Sequence, residues 1–247
     1  MNLWLGFKSN NNYFAPSSMV IGKGLLARTF QQFKDDDGVL IFGSGVSNSQ
    51  QTEQSEFDRE KNLLSSYIKS GATLIYFSTV SVYDSSTNQS PYILHKKEME
   101  QFISLNFSSY IIFRLPILVG KADNPFTLAN FLFQRIINHE PVPVFKNACR
   151  YLMDADDVSL LLGKMIESKQ FDNSTLDINF DNAIFIAELI SIFENALGIK
   201  AEKTIVNKGS CYKTNNQKFI QFVESVAFKL SADYTVKTIR KYYSGKS

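Results

Sequence analysis

The feature that most constrains this chain is its alternation of short apolar runs with helical patterns. Residues 19–22, 38–42, 73–78, 110–115 and 176–179 read as strands. Between and after them, residues 25–34, 56–69, 92–105, 125–138, 155–168 and 187–197 read as helices. Such alternation is the sign of βαβ units and a parallel sheet. The expected fold is therefore α/β, a compact Rossmann-type parallel sheet with helices on both faces over residues 1–140. Beyond about residue 141 the pattern is less regular, which predicts a small C-terminal region, 141–247, that partly returns to the sheet. Gly198 stands where a helix C-cap is expected, and residues 10–12, 47–55 and 85–90 are polar loops.

With 247 residues, the chain is long enough to bury a substantial core. Its formal charge of +2 comes from nearly balanced acids and bases with no basic block, so nothing calls for nucleic acid. Cys149, Cys211, His95 and His139 do not cluster at metal-ligand spacing, and neither a metal site nor a disulfide framework is expected. The longest apolar stretch, 110–119, is broken by Arg114 and Pro116 and is too short to span a bilayer. The first fourteen residues show no signal-peptide pattern. These readings predict a cytoplasmic protein without membrane segments.

Gly22, Lys23, Gly24, Leu25, Leu26 and Ala27 form a G-x-G-x-x-A loop between an apolar run and a helix. Glycines there permit a tight turn and let the backbone approach a pyrophosphate seated on the helix N-terminus. A second constellation combines Thr79, at the end of the 73–78 run, with Tyr92 and Lys96. Tyrosine and lysine four residues apart share one helix face. The ammonium can stabilise a phenolate while the threonine hydroxyl orients a substrate oxygen. To act as a base near pH 7, a tyrosine with a pKa near 10 must gain about 4 kcal/mol, at roughly 1.4 per unit. Tyr242 and Lys246 repeat the spacing in what reads as a frayed C-terminal tail.

The segment from Tyr76 through Ser78, Thr79 and Ser81 to Tyr83 resembles the strand signature of the NAD-dependent epimerase/dehydratase family. Tyr92, Lys96 and Glu100 resemble its catalytic helix, and Phe113, Arg114 and Gly120 its next strand and turn. The segment from Arg150 to Asp156, Asp157 and Val158 is similar to a further family motif, and Asp177 to Asn179 to the strand ahead of the C-terminal region. The resemblance implies an NAD or NADP cofactor and a nucleotide-activated sugar as substrate, and it allows a homodimer. By position, Thr79, Tyr92 and Lys96 would be catalytic. Gly22, Lys23, Gly24, Leu25, Leu26, Ala27, Gly43, Ser44 and Lys96 would hold the cofactor. Ser81 and Arg150 would bind substrate, Arg150 at the diphosphate. An ion pair of Arg150 with Asp156 or Asp157 is the structural alternative, and Arg114 reads as an anchor at the core edge.

Three departures from the family pattern shape the expected activity. Val80 and Ser81 stand where dehydratases carry acids, which disfavours dehydration and leaves epimerisation or reduction. Ile117 replaces a substrate-binding asparagine. The run at 38–42 corresponds to the family's fourth strand, so its second and third strands and the acidic ribose ligand about twenty positions beyond the glycine loop have no counterpart. Residues 1–7 offer an extra strand. The alternative is a non-catalytic member that binds a nucleotide or a partner.

Overall fold

The computed structural model describes residues 19–121 and 124–245. In chain order its first strands are β1 (Val20–Ile21), β2 (Val39–Phe42), β3 (Thr73–Thr79), β4 (Tyr110–Leu115) and β5 (Ile117–Val119). They are followed by β6 (Val142–Phe145), β7 (Cys149–Arg150), β8 (Leu152–Asp154), β9 (Ser174–Asp177), β10 (Ile184–Phe185) and β11 (Lys203–Val206). The helices are α1 (Leu25–Thr29), α2 (Gln54–Ser65), α3 (Pro91–Asn106) and α4 (Leu128–Ile137). After these come α5 (Ala155–Ser168), α6 (Ile186–Leu197), α7 (Gln217–Ser225) and α8 (Tyr234–Tyr243).

The five expected runs become the five strands of one sheet, ordered β1-β2-β3-β4-β9, every pair parallel. Side chains alternate across a strand, and here both faces are apolar. Ile41, Ile75, Phe77, Ile111 and Phe113 meet Ala27 of α1, Leu161 and Leu162 of α5 and Phe219 of α7. Leu40, Phe42, Leu74, Tyr76 and Ile112 meet Leu64 of α2 with Met99 and Ile103 of α3. Each fully buried side chain of this size stabilises the fold by about 1.5–3 kcal/mol, which fixes the register. A one-residue slip would exchange the two faces of a strand. Among the described residues, β1 is an edge strand that pairs only with β2. Residues 1–7 and 10–12, read as an extra strand and a loop, lie outside the described residues.

A further core joins α4, α6 and α8 to the short strands β5, β6 and β8 through Val119, Leu132, Val144, Leu152, Phe193 and Ile239. Three differences from the sequence reading stand out. The first helix ends at Thr29 and gives way to a 3-10 turn over Gln31–Phe33, because Phe30 and Phe33 both turn into the core. The described part of the C-terminal tail is not frayed: Tyr242 lies in α8, donates to Asp154 at 2.6 Å, and is buried, with Lys241 on the same carboxylate at 2.7 Å, while Lys246 lies outside the described residues. Finally, Cys149 and Cys211, read as unlinked, are joined, with Cα atoms 4.9 Å apart across 62 positions of sequence. Residues 207–216 fold back along β7, a proximity that sequence spacing does not reveal.

Candidate active site

Thr79 ends β3 at its carboxyl edge and serves as N-cap of the 3-10 turn Val80–Tyr83, accepting from the Ser81 N–H at 3.1 Å. Ser90 caps α3 by accepting from the Ile93 N–H, and Pro91 starts the helix, where its missing N–H costs nothing. These two devices bring Tyr92, in the first turn of α3, against the end of β3. The Tyr92 hydroxyl lies beside that of Thr79. Tyr92 is partly buried.

Lys96 follows one turn later, but its ammonium does not meet the phenol hydroxyl group as the sequence pattern suggests. Its Nζ is 3.1 Å from Glu60 Oε1 and 3.0 Å from the Tyr76 hydroxyl, and 6.0 Å from the centre of the Tyr92 ring. Burial alone would raise the Glu60 carboxyl. The Lys96 ammonium and hydrogen bonds from His95, Tyr76 and the Val46 N–H overcome that and hold it well below the usual carboxylate range. Its contribution to stability is complete above the ordinary value of 4.5 and is lost as pH falls below it. Burial first and the Glu60 carboxylate second push Tyr92 well above the ordinary value of 10, against the Thr79 hydrogen bond. Tyr92 is therefore a phenol at neutral pH.

The glycine loop stands at the carboxyl end of β1. Gly22 has φ +118°, and a Cβ there would lie 2.6 Å from the Gly43 carbonyl oxygen. At Gly43 a Cβ would lie 2.9 Å from the Ala27 nitrogen. The loop, the end of β2 and the start of α1 thus touch backbone to backbone, which only residues without bulk permit. Gly22, Lys23 and Gly24 are exposed, and a Cβ at Gly24 would meet nothing within 4 Å. Leu25 packs toward Gly120, Leu26 against the sheet core, and Ala27 is buried. Ser44 adjoins this loop, and its carbonyl accepts from Arg59 at 3.2 Å.

Arg150 lies on β7 with its guanidinium turned inward. It pairs with Asp84 Oδ2 at 2.9 Å and donates to the carbonyls of Cys149 (2.7 Å) and Ser210 (3.3 Å). The structural partner is Asp84, not Asp156 or Asp157: Asp156 pairs with Lys241 and Asp157 accepts from Tyr234. Asp84 is 1 % exposed. Burial would raise its carboxyl, but bonds from Ser210 and Ser86 and the Arg150 charge bring it below the usual value. Residues 207–216 cross this region as a strap. Ser210 donates to Asp84 at 2.6 Å, the Tyr212 carbonyl accepts from Tyr151 at 2.9 Å, and the Tyr212 hydroxyl lies beside Ser81. Arg114 anchors the core edge as expected, bonded to Glu100 at 2.9 Å and to the Tyr83 hydroxyl at 2.9 Å.

Comparison with known proteins supports the architecture. No family model and no curated protein sequence matches the chain. Among solved structures, it is similar to UDP-glucose 4-epimerase of Thermus thermophilus in complex with NAD (TM-score 0.67, 14 % identity, covering 89 % of this chain and 82 % of that one). It is also similar to UDP-glucuronic acid 4-epimerase of Bacillus cereus in complex with UDP-glucuronic acid and NAD (TM-score 0.65, 17 % identity, 87 % and 77 % covered). A dTDP-4-dehydrorhamnose reductase from Clostridium acetobutylicum gives a TM-score of 0.63 at 16 % identity, with 88 % and 84 % covered. The chain has the Rossmann-type fold that these sugar-nucleotide enzymes share. Among the described residues, no helix is long and apolar enough to cross a membrane.

Proposed function

We propose that the chain is a member of the NAD-dependent epimerase/dehydratase family that reduces a carbonyl on a nucleotide-linked sugar with NADH or NADPH. The observation that carries this reading is the placement of Tyr92: a phenol beside Thr79 at the carboxyl end of β3, near a lysine whose charge is paired by Glu60. Reduction needs a proton donor at the new alkoxide. Epimerisation begins with an oxidation, which needs a base at the same place. A tyrosine that is protonated at neutral pH starts in the form that the first requires. Dehydration is opposed further by Val80 and Ser81, which supply no acid beside Thr79.

The residues present fit the phosphate end of a dinucleotide. Gly22 and Gly43 let the loop, the end of β2 and the start of α1 pack backbone to backbone, Gly24 opens outward, and the first N–H groups of a helix lack intrahelical acceptors. Gly22, Lys23, Gly24, Leu25, Leu26 and Ala27, with Gly43 and Ser44, would hold the pyrophosphate. When bound, the reduced nicotinamide supplies hydride. Thr79 orients Tyr92, Tyr92 gives its proton to the carbonyl oxygen as negative charge develops there, and Ser81 and Arg150 lie on the substrate side. Because β1 is the edge strand among the described residues, they provide no acidic ribose ligand.

The cofactor half of this reading has a direct consequence. NADH and NADPH are expected to bind with affinities within about tenfold of each other, since the acidic residue expected about twenty positions beyond the glycine loop has no counterpart in the sequence. Titration followed by nicotinamide fluorescence measures both. Strong preference for NADH, or binding of neither, contradicts it. A second reading, a nucleotide- or partner-binding protein without turnover, draws support from the same pairings, because Glu60 engages Lys96 and Asp84 engages Arg150. Cofactor binding without hydride transfer selects that reading.

A further inference from the structure

One buried carboxylate beneath the site joins three secondary-structure elements and a loop. Glu60 of α2 is 0 % exposed. It accepts from the Val46 N–H at 2.6 Å, from the Tyr76 hydroxyl of β3 at 2.6 Å, and from Lys96 of α3 at 3.1 Å, and it lies 3.0 Å from His95 Nε2. Lys96 itself is 2 % exposed. Removing both charges from water is unfavourable unless each satisfies the other with further hydrogen-bond partners, and here Glu60 accepts from Val46, Tyr76 and Lys96 while Lys96 also bonds Tyr76. Gly45 fits the same cluster: a Cβ there would lie 3.0 Å from both Glu60 Oε1 and Lys96 Nζ. The loop that leaves β2, which carries Gly43 and Ser44, therefore rests directly on the ion pair.

The arrangement removes Lys96 from the part its spacing suggests. Bonds to Glu60 and Tyr76 occupy two of its three ammonium protons. Building on the reductive reading above, we propose that Glu60 is a positioning residue: it locks the Lys96 ammonium into a buried neutral pair and seats the loop after β2 upon it, so that Tyr92 gives a proton and does not take one. The ionisable groups around Tyr92 are Glu60 from α2, Lys96 and His95 from its own helix, and Tyr76 from β3. Glu100, farther along α3, is engaged by Arg114. An ammonium without its carboxylate would favour the phenolate by simple Coulomb attraction, and the carboxylate cancels it.

The test is the ionisation of Tyr92 in the full chain, read by carbon-13 NMR of ζ-labelled tyrosine, with Tyr92→Phe assigning the resonance. It needs neither cofactor nor sugar, so failure of the reductase reading and failure of this one are separate results. Glu60→Gln leaves Lys96 charged beside the phenol, and the Tyr92 midpoint is expected to fall by about one pH unit or more, roughly tenfold in the ionisation constant. A folded Glu60→Gln protein with an unchanged midpoint overturns the proposal, since a merely structural glutamate would weaken the fold and leave Tyr92 alone. If the single variant is too unstable to titrate, the double variant Glu60→Gln, Lys96→Met restores neutrality. It is expected to resist urea better than either single variant. Simple addition of the two losses overturns the proposal.

Discussion

Tyr92→Phe is expected to slow carbonyl reduction by at least about a hundredfold, the lower end of what a positioned proton donor contributes. The ring keeps its packing and only the hydroxyl is lost. The fold and cofactor affinity should therefore survive. Single-turnover measurement on the variant, beside a thermal melt, separates chemistry from stability. The pH dependence follows from the same group. Tyr92 is pushed above its ordinary value of 10, so its protonated form persists as pH rises from neutrality toward that value. No loss of reductive rate below about pH 10 should trace to Tyr92. A variant with normal turnover would remove Tyr92 from the mechanism.

Arg150→Ala has the next largest expected effect, and it acts first on stability. Asp84 is almost wholly buried, and Arg150 is its cationic partner. Breaking a buried pair from one side leaves an uncompensated charge and costs about 3–5 kcal/mol. Loss of the bond to the Ser210 carbonyl should also loosen the strap over Ser81. Urea unfolding at neutral pH checks the first point, and a variant as stable as the parent contradicts it. If Arg150 also meets the diphosphate of a sugar nucleotide, KM rises strongly with little change in kcat, because such a contact is present in ground and transition states alike. Lowered stability with unchanged KM would make Arg150 a structural latch alone.

These two residues show what was legible in the sequence. The sheet was readable because its strands are buried on both faces and so stand out as apolar runs: 39–42, 73–79 and 110–115 fall where the runs place them. α5 was readable to the residue, through an apolar stripe that begins after Asp154, its N-cap. Strands such as β7 and β10, two residues each, carry too little pattern to register, and α8 was obscured by its polar face. At the site, the long-range pairs were not readable. Thr79 and Tyr92 sit in motifs with fixed spacing. Glu60 meets Lys96 across 36 positions, and Asp84 meets Ser210 across 126. A lone acid on a polar helix gives no sign that the fold will bury it. Only its place on α2, on the helix face that also carries Phe57 and Leu64, all three buried, hinted that it points inward.

The most direct test of the central reading is label transfer. The full chain is incubated with a nucleotide-linked 4-keto sugar and NADH or NADPH carrying deuterium at nicotinamide C4. The account predicts one deuterium on the former carbonyl carbon of the sugar and one equivalent of oxidised cofactor for each sugar reduced. It also predicts that the Tyr92→Phe protein does this at least about a hundredfold more slowly. Interconversion of sugars with no net consumption of cofactor, or no label in the sugar while cofactor remains bound, would contradict it.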